Sequence, residues 1–444
     1  MIARLLRRAA GNAYVLAQLR GQRAFPFASR ARIERERDAR VRRIVRHAAT
    51  TVPFYREAFG RLGLDPREIR TAHDLERLPL VEKDDLRRDP ERFVSTSWLG
   101  RRSVEFVTSG TTGERARIRH DPLGLLANIA HGERERRVVT HFVGRAVGYR
   151  EAMIGYPAGT IEKVLAFYRE HSYVPIRPNR LMLSVQTPMR ENAQAVSGFR
   201  PDVLLSYGTY LQALSRAVAA GTIELPPMKL LMYGAEPLPP QARRDVEAVL
   251  GAPVLSFYNA VEAFKIAFMC EQRAGFHVHE DLAHVRIVGA DGGTVPDGGK
   301  GCVVLSNLVN RATVLLNYRL ADVSGYEPGP CACGRRLRRL GEIDGRAEDP
   351  LTLGNGEILH PRAIWSVIKR WTEVIQYQLM QEEPSRFLLK LVTADEDGFG
   401  RIAGPLAREI RELLGAGAVV ETLRCAELPR EAGGKLRLVV ALRR

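Results

Sequence analysis

A loop rich in glycine and hydroxyl side chains lies between two strand-like segments. Residues 108–113 read Thr-Ser-Gly-Thr-Thr-Gly, and apolar and polar residues alternate at 103–107 and 115–119. Because glycine tolerates positive φ, the N–H groups of this loop can converge on an anion, and the hydroxyls add donors. The residues that would face phosphate are Thr108, Ser109, Gly110, Thr111, Thr112 and Gly113. The loop lacks the Gly-Lys-Ser/Thr ending of a Walker A motif, and a simple hairpin turn is the alternative interpretation.

Four metal-ligand residue types form a second set. Six residues separate Cys270 from His277, and a single residue separates Cys331 from Cys333. Three thiolates and one imidazole would complete the shell of a structural Zn²⁺. The C-x-C spacing is looser than the usual C-x₂-C, so separate buried thiols are the alternative. We favour the zinc site.

The elements that must position these residues predict an α/β protein. The pattern is helical up to about residue 95, and short apolar strands then alternate with helix-like stretches, which is typical of parallel sheets. The expected architecture is a large N-terminal domain of parallel or mixed sheets flanked by helices, with a β-rich subdomain, and a small mobile α+β C-terminal domain. The predicted ranges are 1–344 and 345–444, with a helical arm at 1–50, the β-rich subdomain at about 260–344, and C-terminal helices at 361–371 and 401–414.

Composition restricts the partners and the compartment. The 444 residues include 67 Lys+Arg and 51 Asp+Glu, a net charge of +16, with 45% hydrophobic residues, which excludes wholesale disorder and coiled coil. The arginines are spread along the chain without a nucleic-acid motif, so we do not expect nucleic acid as the partner. For the basic N-terminal arm a plain surface helix is favoured, with contact to a membrane surface as the alternative. Five cysteines predict a reducing, cytoplasmic compartment.

Six segments, in order, resemble motifs of the adenylate-forming superfamily of acyl-CoA synthetases and adenylation domains. They are 108–113, Gly234-Ala235-Glu236-Pro237, Tyr258-Asn259-Ala260-Val261-Glu262, Tyr318-Arg319-Leu320-Ala321-Asp322, Gly345-Arg346-Ala347-Glu348-Asp349 and Gly433-Gly434-Lys435-Leu436-Arg437. Three further segments resemble the phenylacetate–CoA ligase branch, whose relatives include capsular polysaccharide cluster proteins and a deazaflavin-adenylylating synthetase. These are Val52-Pro53-Phe54-Tyr55, His277-Val278-His279-Glu280-Asp281 and Cys331-Ala332-Cys333-Gly334-Arg335. The resemblance runs from about residue 30 to the end.

The resemblance implies a role for each matching residue. Lys435 would contact the attacking carboxylate and the bridging oxygen, and Glu262 would hold Mg²⁺. Asp322 would accept hydrogen bonds from the ribose hydroxyls, and Arg346 would follow the hinge of the small domain. The segments expected around the adenine comprise Gly234, Ala235, Glu236, Pro237, Tyr258, Asn259 and Ala260. Tyr156, Tyr207 and Gly208 are candidate walls of the acyl pocket, which would suit an aromatic acid.

Three residues depart from the superfamily pattern. Asn259 and Ala321 stand where glycines are usual, and Val261 replaces a threonine that contacts phosphate. Because the valine side chain donates no hydrogen bond, one phosphate contact is lost or rerouted. We therefore expect nucleotide binding more firmly than turnover through both reaction steps.

The function implied is an ATP-dependent ligase. A carboxylic acid and MgATP would give acyl-AMP and pyrophosphate, and the acyl group would pass to coenzyme A. The alternatives are transfer to an amine, a hydroxyl or a carrier-protein thiol, a nucleotide-binding homologue with impaired turnover, and a basic surface-binding protein. A homodimer or a monomer is expected, and the sequence names neither the acid nor the acceptor.

Overall fold

The computed structural model describes residues 2–107, 117–156, 159–173, 179–235, 238–289, 291–343, 351–359, 361–368, 370–371, 373–374, 376–415, 417–426, 428 and 438–442. The helices in these ranges are α1 (Ile2–Leu19), α2 (Arg30–Thr51), α3 (Pro53–Leu62), α4 (Lys83–Arg88), α5 (Pro122–Val143), α6 (Thr160–His171), α7 (Met189–Phe199), α8 (Gly208–Ala219), α9 (Pro240–Leu250), α10 (Pro361–Ile368) and α11 (Glu396–Leu414).

The first strands are β1 (Val104–Val107), β2 (Arg117–His120), β3 (Glu151–Gly155), β4 (Arg180–Ser184), β5 (Val203–Ser206), β6 (Leu230–Tyr233), β7 (Val254–Tyr258), β8 (Ala267–Met269), β9 (Phe276–Val278) and β10 (Ala283–Val288). The later ones are β11 (Gly301–Asn307), β12 (Tyr318–Ser324), β13 (Arg339–Leu340), β14 (Leu351–Thr352), β15 (Ile358–Leu359), β16 (Gln376–Glu383), β17 (Arg386–Val392), β18 (Val419–Arg424) and β19 (Val439–Val440). The predicted α/β class is confirmed.

An eight-stranded mixed sheet forms the centre of the molecule. Its order is β13-β9-β8-β7-β6-β5-β3-β4, and the strands from β7 to β4 are parallel. From β3 the chain first adds β4 on one side of that strand and then adds β5, β6 and β7 in turn on the other side. Strand order therefore reverses between β3 and β5, and in open α/β sheets ligands bind outside the carboxyl ends of the strands at such a reversal.

Local sequence explains where the long helices begin and end. The Ser29 hydroxyl accepts a hydrogen bond from the Arg32 N–H and caps α2, while Pro53 disfavours helical geometry at the residue before it and stops the helix. The Asp121 carboxylate accepts from the Gly124 N–H at 2.8 Å at the start of α5, and Gly144, with φ of 80°, ends it. These two helices flank the site described below.

Two smaller sheets accompany the central one in the large N-terminal part. β1 and β2 pair antiparallel, with Val107 opposite Arg117. The two strands predicted on either side of 108–113 are therefore confirmed, while the loop between them lies outside the described residues. β10, β11 and β12 form an antiparallel sheet within the predicted β-rich subdomain. This sheet carries Asp322 on its last strand.

The C-terminal segment has its own sheet and its own core. Strands β18-β17-β16-β19 form the sheet, and Leu389, Leu406 and Val439 are fully buried between it and its helices. The predicted boundary at 344/345 lies outside the described residues, so the division into two domains stays a prediction. None of the helices in the described ranges is long and apolar enough to cross a bilayer.

Candidate active site

Several of the predicted site residues lie outside the described residues. They are Thr108, Ser109, Gly110, Thr111, Thr112, Gly113, Glu236, Pro237, Arg346 and Lys435. The site is therefore built from the residues that surround these segments.

The carboxyl ends of β5, β6 and β7 are joined to one another by hydrogen bonds. The Gly234 N–H donates to the Ser206 carbonyl oxygen at 3.2 Å, and the Ser256 hydroxyl donates to the Tyr233 carbonyl oxygen at 3.0 Å. Ala235, the next residue after Gly234, has φ of 64°. A left-handed conformation costs an alanine on the order of 1 kcal/mol, and such residues concentrate at functional sites.

A phenol and a carboxylate meet where β7 ends beside β12. The Tyr258 hydroxyl donates to Asp322 Oδ2 at 2.6 Å. Burial, followed by the charge of Asp322, raises the pKa of Tyr258 well above its ordinary value. The phenol therefore stays protonated, and its orientation is fixed by the carboxylate. The structure brings these two predicted residues into direct contact.

Glu262 is a buried carboxylate in the loop that follows β7. Burial raises its pKa, and the nearby Lys83 opposes that shift. The Tyr318 hydroxyl is hydrogen-bonded to the carboxylate, while the main-chain carbonyl of Glu262 accepts from Asn307 Nδ2 at 2.8 Å. A cation beside this carboxylate would stabilise its ionised form.

A buried histidine holds the same loop from the side of the glycine-rich segment. The His120 ring nitrogen Nε2 lies 2.7 Å from the Val261 carbonyl oxygen. Burial lowers the pKa of His120 to about 4, so the ring is neutral and its Nε2–H donates to the carbonyl. His120 is the last residue of β2. The bond therefore links the strand that leaves the 108–116 segment to the loop that carries Glu262.

Two departures from the superfamily pattern have structural roles. With its amide nitrogen facing the carbonyls, Asn259 donates to the Phe264 carbonyl oxygen at 2.7 Å, and the Phe264 N–H donates to the Ala260 carbonyl oxygen at 2.6 Å. Both bonds close the turn at Phe264, whose φ is 59°. The Val261 side chain packs against two hydrophobic clusters, one around Phe106 and one around Tyr318. Val261 thus contributes packing where a threonine would contribute a hydroxyl.

The predicted acyl-pocket residues lie at the reversal between β3 and β5. The Tyr156 N–H, just after β3, donates to the Tyr207 hydroxyl oxygen, just after β5, at 3.2 Å. Gly208 is buried and begins α8. From the C-terminal segment, Trp365 packs edge-on against Tyr156 with ring centroids 6.0 Å apart. Aromatic side chains therefore line the place where the topology predicts a ligand.

The predicted cysteine and histidine set converges on one point. The ligand atoms of Cys270, His277, Cys331 and Cys333 all lie within 4.8 Å of one another. Cys270 Sγ is 3.7 Å from Cys331 Sγ, and Cys333 Sγ is 3.3 Å from His277 Nε2. Tetrahedral Zn²⁺ with Zn–S bonds of about 2.3 Å requires S···S separations of roughly 3.8 Å. The donor set and its spacing fit a structural zinc ion.

Neighbouring groups orient these ligands. His277 Nδ1 lies 3.3 Å from the Leu337 carbonyl oxygen, which leaves Nε2 directed at the cysteines. The Arg335 N–H donates to Cys333 Sγ at 3.4 Å. Hydrogen bonds from Cys270, His277 and Arg335 hold the pKa of Cys333 below its ordinary value, although burial opposes this shift. These contacts favour a thiolate at Cys333.

Sequence comparison finds relatives along almost the whole chain, although no family model matches it. The chain is 27% identical over 455 residues to the phenylacetate-coenzyme A ligase of Thermus thermophilus, covering 94% of this chain and 98% of the relative. It is 26% identical over 412 residues to the enzyme of that name from Pseudomonas putida, covering 89% and 91%. Over almost its whole length the chain is therefore similar to phenylacetate-coenzyme A ligases, which agrees with the resemblance found in the sequence.

A solved structure agrees with this assignment at the level of fold. A 2-hydroxyisobutyryl-CoA ligase, in complex with 2-HIB-AMP and CoA, superposes with a TM-score of 0.60 at 19% identity, covering 93% of this chain and 90% of that chain. In this phenylacetate–CoA ligase-like protein the described site residues therefore occupy an adenylate-forming fold.

Sequence reasoning missed a buried charge network beneath the loop of this phenylacetate–CoA ligase-like protein. Arg134 on α5 donates two hydrogen bonds to Asp281, at 2.7 and 2.9 Å, and Arg40 on α2 lies 3.5 Å from the same carboxylate. Although burial opposes ionisation, Arg134 and Arg40 hold the pKa of Asp281 well below its ordinary value. The pair is ionised and joins α2 and α5 to the segment after β9.

The network continues to the loop itself. His279 Nε2 is 3.3 Å from Glu135, and Glu135 pairs with Lys265, which lies just beyond the turn at Phe264. Burial lowers the pKa of His279 to about 4, so this histidine is neutral. The sequence analysis interpreted 277–281 as a branch marker and His277 as a metal ligand, without a role for His279 or the two acids. The one sign of this network in the sequence was the grouping of two histidines and two acidic residues within five positions. Their partners could not be found from the sequence, because Glu135, for example, lies 144 residues before His279.

Two of the buried histidines, His120 and His279, predict an acid-sensitive fold. Because the pKa values of His120 and His279 in the folded protein lie near 4, below the unfolded value of about 6.5, the unfolded chain binds more protons between these limits. We expect the free energy of unfolding to be highest above pH 6.5 and to fall by up to about 1.4 kcal/mol per pH unit for each histidine as the pH drops toward 4. Urea unfolding at several pH values measures this slope.

His120→Phe is the variant that tests the assignment, with His73→Gln at an exposed position as the matched control. His120→Phe keeps the ring but removes both the titrating group and the donor to Val261. It should lower stability at neutral pH by about 1–3 kcal/mol and reduce the slope between pH 6.5 and 4.5. If the free energy of unfolding of His120→Phe fell with pH as steeply as that of the wild type, this account would be contradicted.

Proposed function

We propose that this protein is an AMP-forming acyl-CoA ligase that activates a carboxylic acid with MgATP and passes the acyl group to coenzyme A. The observation that supports this most strongly is the sequence match to a phenylacetate-coenzyme A ligase over 98% of that relative. The described residues supply a second support, because Tyr258, Asp322 and Glu262 surround the carboxyl end of β7.

The reaction has two balanced steps. A substrate carboxylate oxygen bonds to the α-phosphorus while pyrophosphate leaves, and the CoA sulfur then bonds to the acyl carbon while AMP leaves.

The nucleoside end of the site would be held by Tyr258 and Asp322. Asp322 lies on β12 and already accepts a hydrogen bond from Tyr258, so its carboxylate is oriented to accept from the two ribose hydroxyls. The ring of Tyr258 is fixed by its bond to Asp322, which suits a surface for the adenine. Gly234, Ala235, Asn259 and Ala260 lie at the adjoining strand ends, where they would border the base.

Glu262 fits the role of a magnesium ligand. Mg²⁺ bound to phosphates usually takes only one or two protein carboxylates. When bound, the ion would neutralise phosphate charge during the transfer. Burial leaves Glu262 costly to ionise without a cation, and its backbone is fixed by Asn307. The chain therefore offers one oriented carboxylate at the place where the phosphates would enter.

The remaining roles are proposed from the motifs. The segment 108–113 would bind phosphate, Lys435 would stabilise charge on the attacking and bridging oxygens, and Arg346 would follow the hinge. The tyrosines at 156 and 207 favour an aromatic acid as the substrate. The free cysteines fit a reducing compartment, the cytoplasm, and the oligomeric state stays a prediction of homodimer or monomer.

Pyrophosphate release tests the first step. We expect release from MgATP in the absence of CoA only when an accepted acid is present, and arylacetic and benzoic acids should be favoured over aliphatic and amino acids. Lys435→Ala should lower the rate on the order of 10²–10³-fold. Lys390→Ala, on β17 of the same C-terminal segment, is the matched control and should leave the rate unchanged.

The acceptor is tested separately. Addition of CoA should consume its thiol in step with AMP release. Acid-dependent pyrophosphate release without CoA consumption would instead indicate an amine, a hydroxyl or a carrier-protein acceptor. ATP binding without pyrophosphate release for any acid would contradict the ligase proposal.

We further propose that the cysteine and histidine set holds a structural Zn²⁺. Metal analysis of the purified protein should find about one zinc per chain, and Cys333→Ser should abolish it. Because the ligands lie on segments separated in the sequence, loss of the ion should also lower the thermal unfolding temperature by several degrees. Cys425→Ser, outside the set, is the matched control and should retain zinc. A zinc-free wild type with unchanged stability under chelation would overturn the proposal.

A further inference from the structure

Helix α1 presents a row of apolar side chains to solvent. Ile2, Leu6 and Leu16 are 71, 66 and 60% exposed, and Leu5 is 49% exposed. These side chains recur at helical spacing on one face. The full outward row is Ile2, Leu5, Leu6, Ala9, Ala13 and Leu16. A surface helix of a globular protein normally turns such a row toward the core.

The opposite side of α1 is fixed to the protein by polar contacts and by the packing of Val15 in an apolar cluster with Phe106 and Leu125. Arg7 pairs with Glu170 on α6. Arg8 donates to the Ser172 carbonyl oxygen at 3.1 Å, and the Asn12 side-chain oxygen accepts from the Tyr173 N–H at 2.9 Å. These contacts orient the helix with Arg7 and Arg8 toward α6.

A close backbone approach prevents the helix from rotating. A Cβ atom at Gly11 would lie 1.9 Å from the His171 carbonyl oxygen at the end of α6, so only glycine allows this contact. Beside it, Val15 is completely buried. The outward position of the leucines is therefore set by the packing of the opposite face.

The charged side chains in the first part of the sequence are basic. There is no Asp or Glu before Glu34, and the whole chain carries +16. Arg4 and Arg20 are exposed near the two ends of α1. Apolar side chains next to arginine are the combination that binds an anionic lipid surface.

We propose that α1 docks the protein onto an anionic membrane surface, with its apolar row at the level of the lipid headgroups and Arg4 and Arg20 against lipid phosphates. The sequence favours a plain surface helix for this arm, with contact to a membrane surface as the alternative; we propose the alternative because the structure shows which face of α1 is exposed. The proposal is independent of the ligase activity.

A second copy of the chain is the less suitable occupant. An 18-residue helix is about 27 Å long and about 10 Å wide, so its outer face offers on the order of 300 Å². A stable interface needs about 800 Å² from each partner. Two such faces would also bring Arg4 and Arg20 of one copy near those of the other. An anionic surface requires no such juxtaposition.

Vesicle flotation with the full chain tests the proposal. We expect binding to vesicles of phosphatidylcholine and phosphatidylglycerol in equal amounts, weak binding to phosphatidylcholine alone, and release at high salt. The double variant Leu6→Ser/Leu16→Ser should weaken binding at least about tenfold. Thermal unfolding and pyrophosphate release should stay as in the wild type.

Leu62→Ser/Leu423→Ser, which changes two similarly exposed leucines elsewhere, is the matched control and should bind as the wild type does. Arg4→Glu/Arg20→Glu should abolish the preference for anionic vesicles while leaving the leucines in place. Equal binding by Leu6→Ser/Leu16→Ser and wild type would overturn the proposal. A wild-type dimer that this variant converts to monomer, with no vesicle binding, would assign the face to a second copy instead.

Discussion

The arrangement of the candidate active site depends on a buried ion pair, Arg134 and Asp281, that does not itself contact Tyr258, Glu262 or Asp322. Arg134 and Asp281 are almost inaccessible to solvent, and removal of one partner of such a pair leaves an uncompensated charge at a cost of about 3–5 kcal/mol. From this pair, contacts run through His279 and Glu135 to Lys265, beside the turn that follows Glu262. The loop over the carboxyl end of β7 is thus supported from within the protein body.

The same loop is held from the other direction by His120. One anchor therefore comes from the strand that leaves the 108–116 segment and the other from α5. Replacement of a glycine and a threonine by Asn259 and Val261 is compatible with this design, because the amide closes the turn and the valine fills space between two cores. The residue changes that cast doubt on turnover have local structural explanations.

The sequence predicted those features that depend on residues close together in the chain. The strands around 108–113, the Cys and His set, and the alternation of strands and helices all follow from local patterns. The start of α11 at Glu396 instead of 401 was missed because Gly398, Gly400 and Pro405 weigh against a helix. The Asp395 cap and burial of Ile402 and Leu406 outweigh those residues. The charge network and the orientation of α1 were not predictable, because both depend on contacts between residues more than 100 positions apart.

The position of the thiols also has a consequence for the freedom of the unfolded chain. Cys270 and Cys331 are 61 residues apart, and the segment between them contains β10, β11 and β12. A metal held by both would close this segment into a loop and remove part of its freedom in the unfolded chain. Asp322 lies on that loop, far along the chain from the cysteine at its start. An ion distant from the proposed nucleotide site would thereby help bring the strand that carries Asp322 into place.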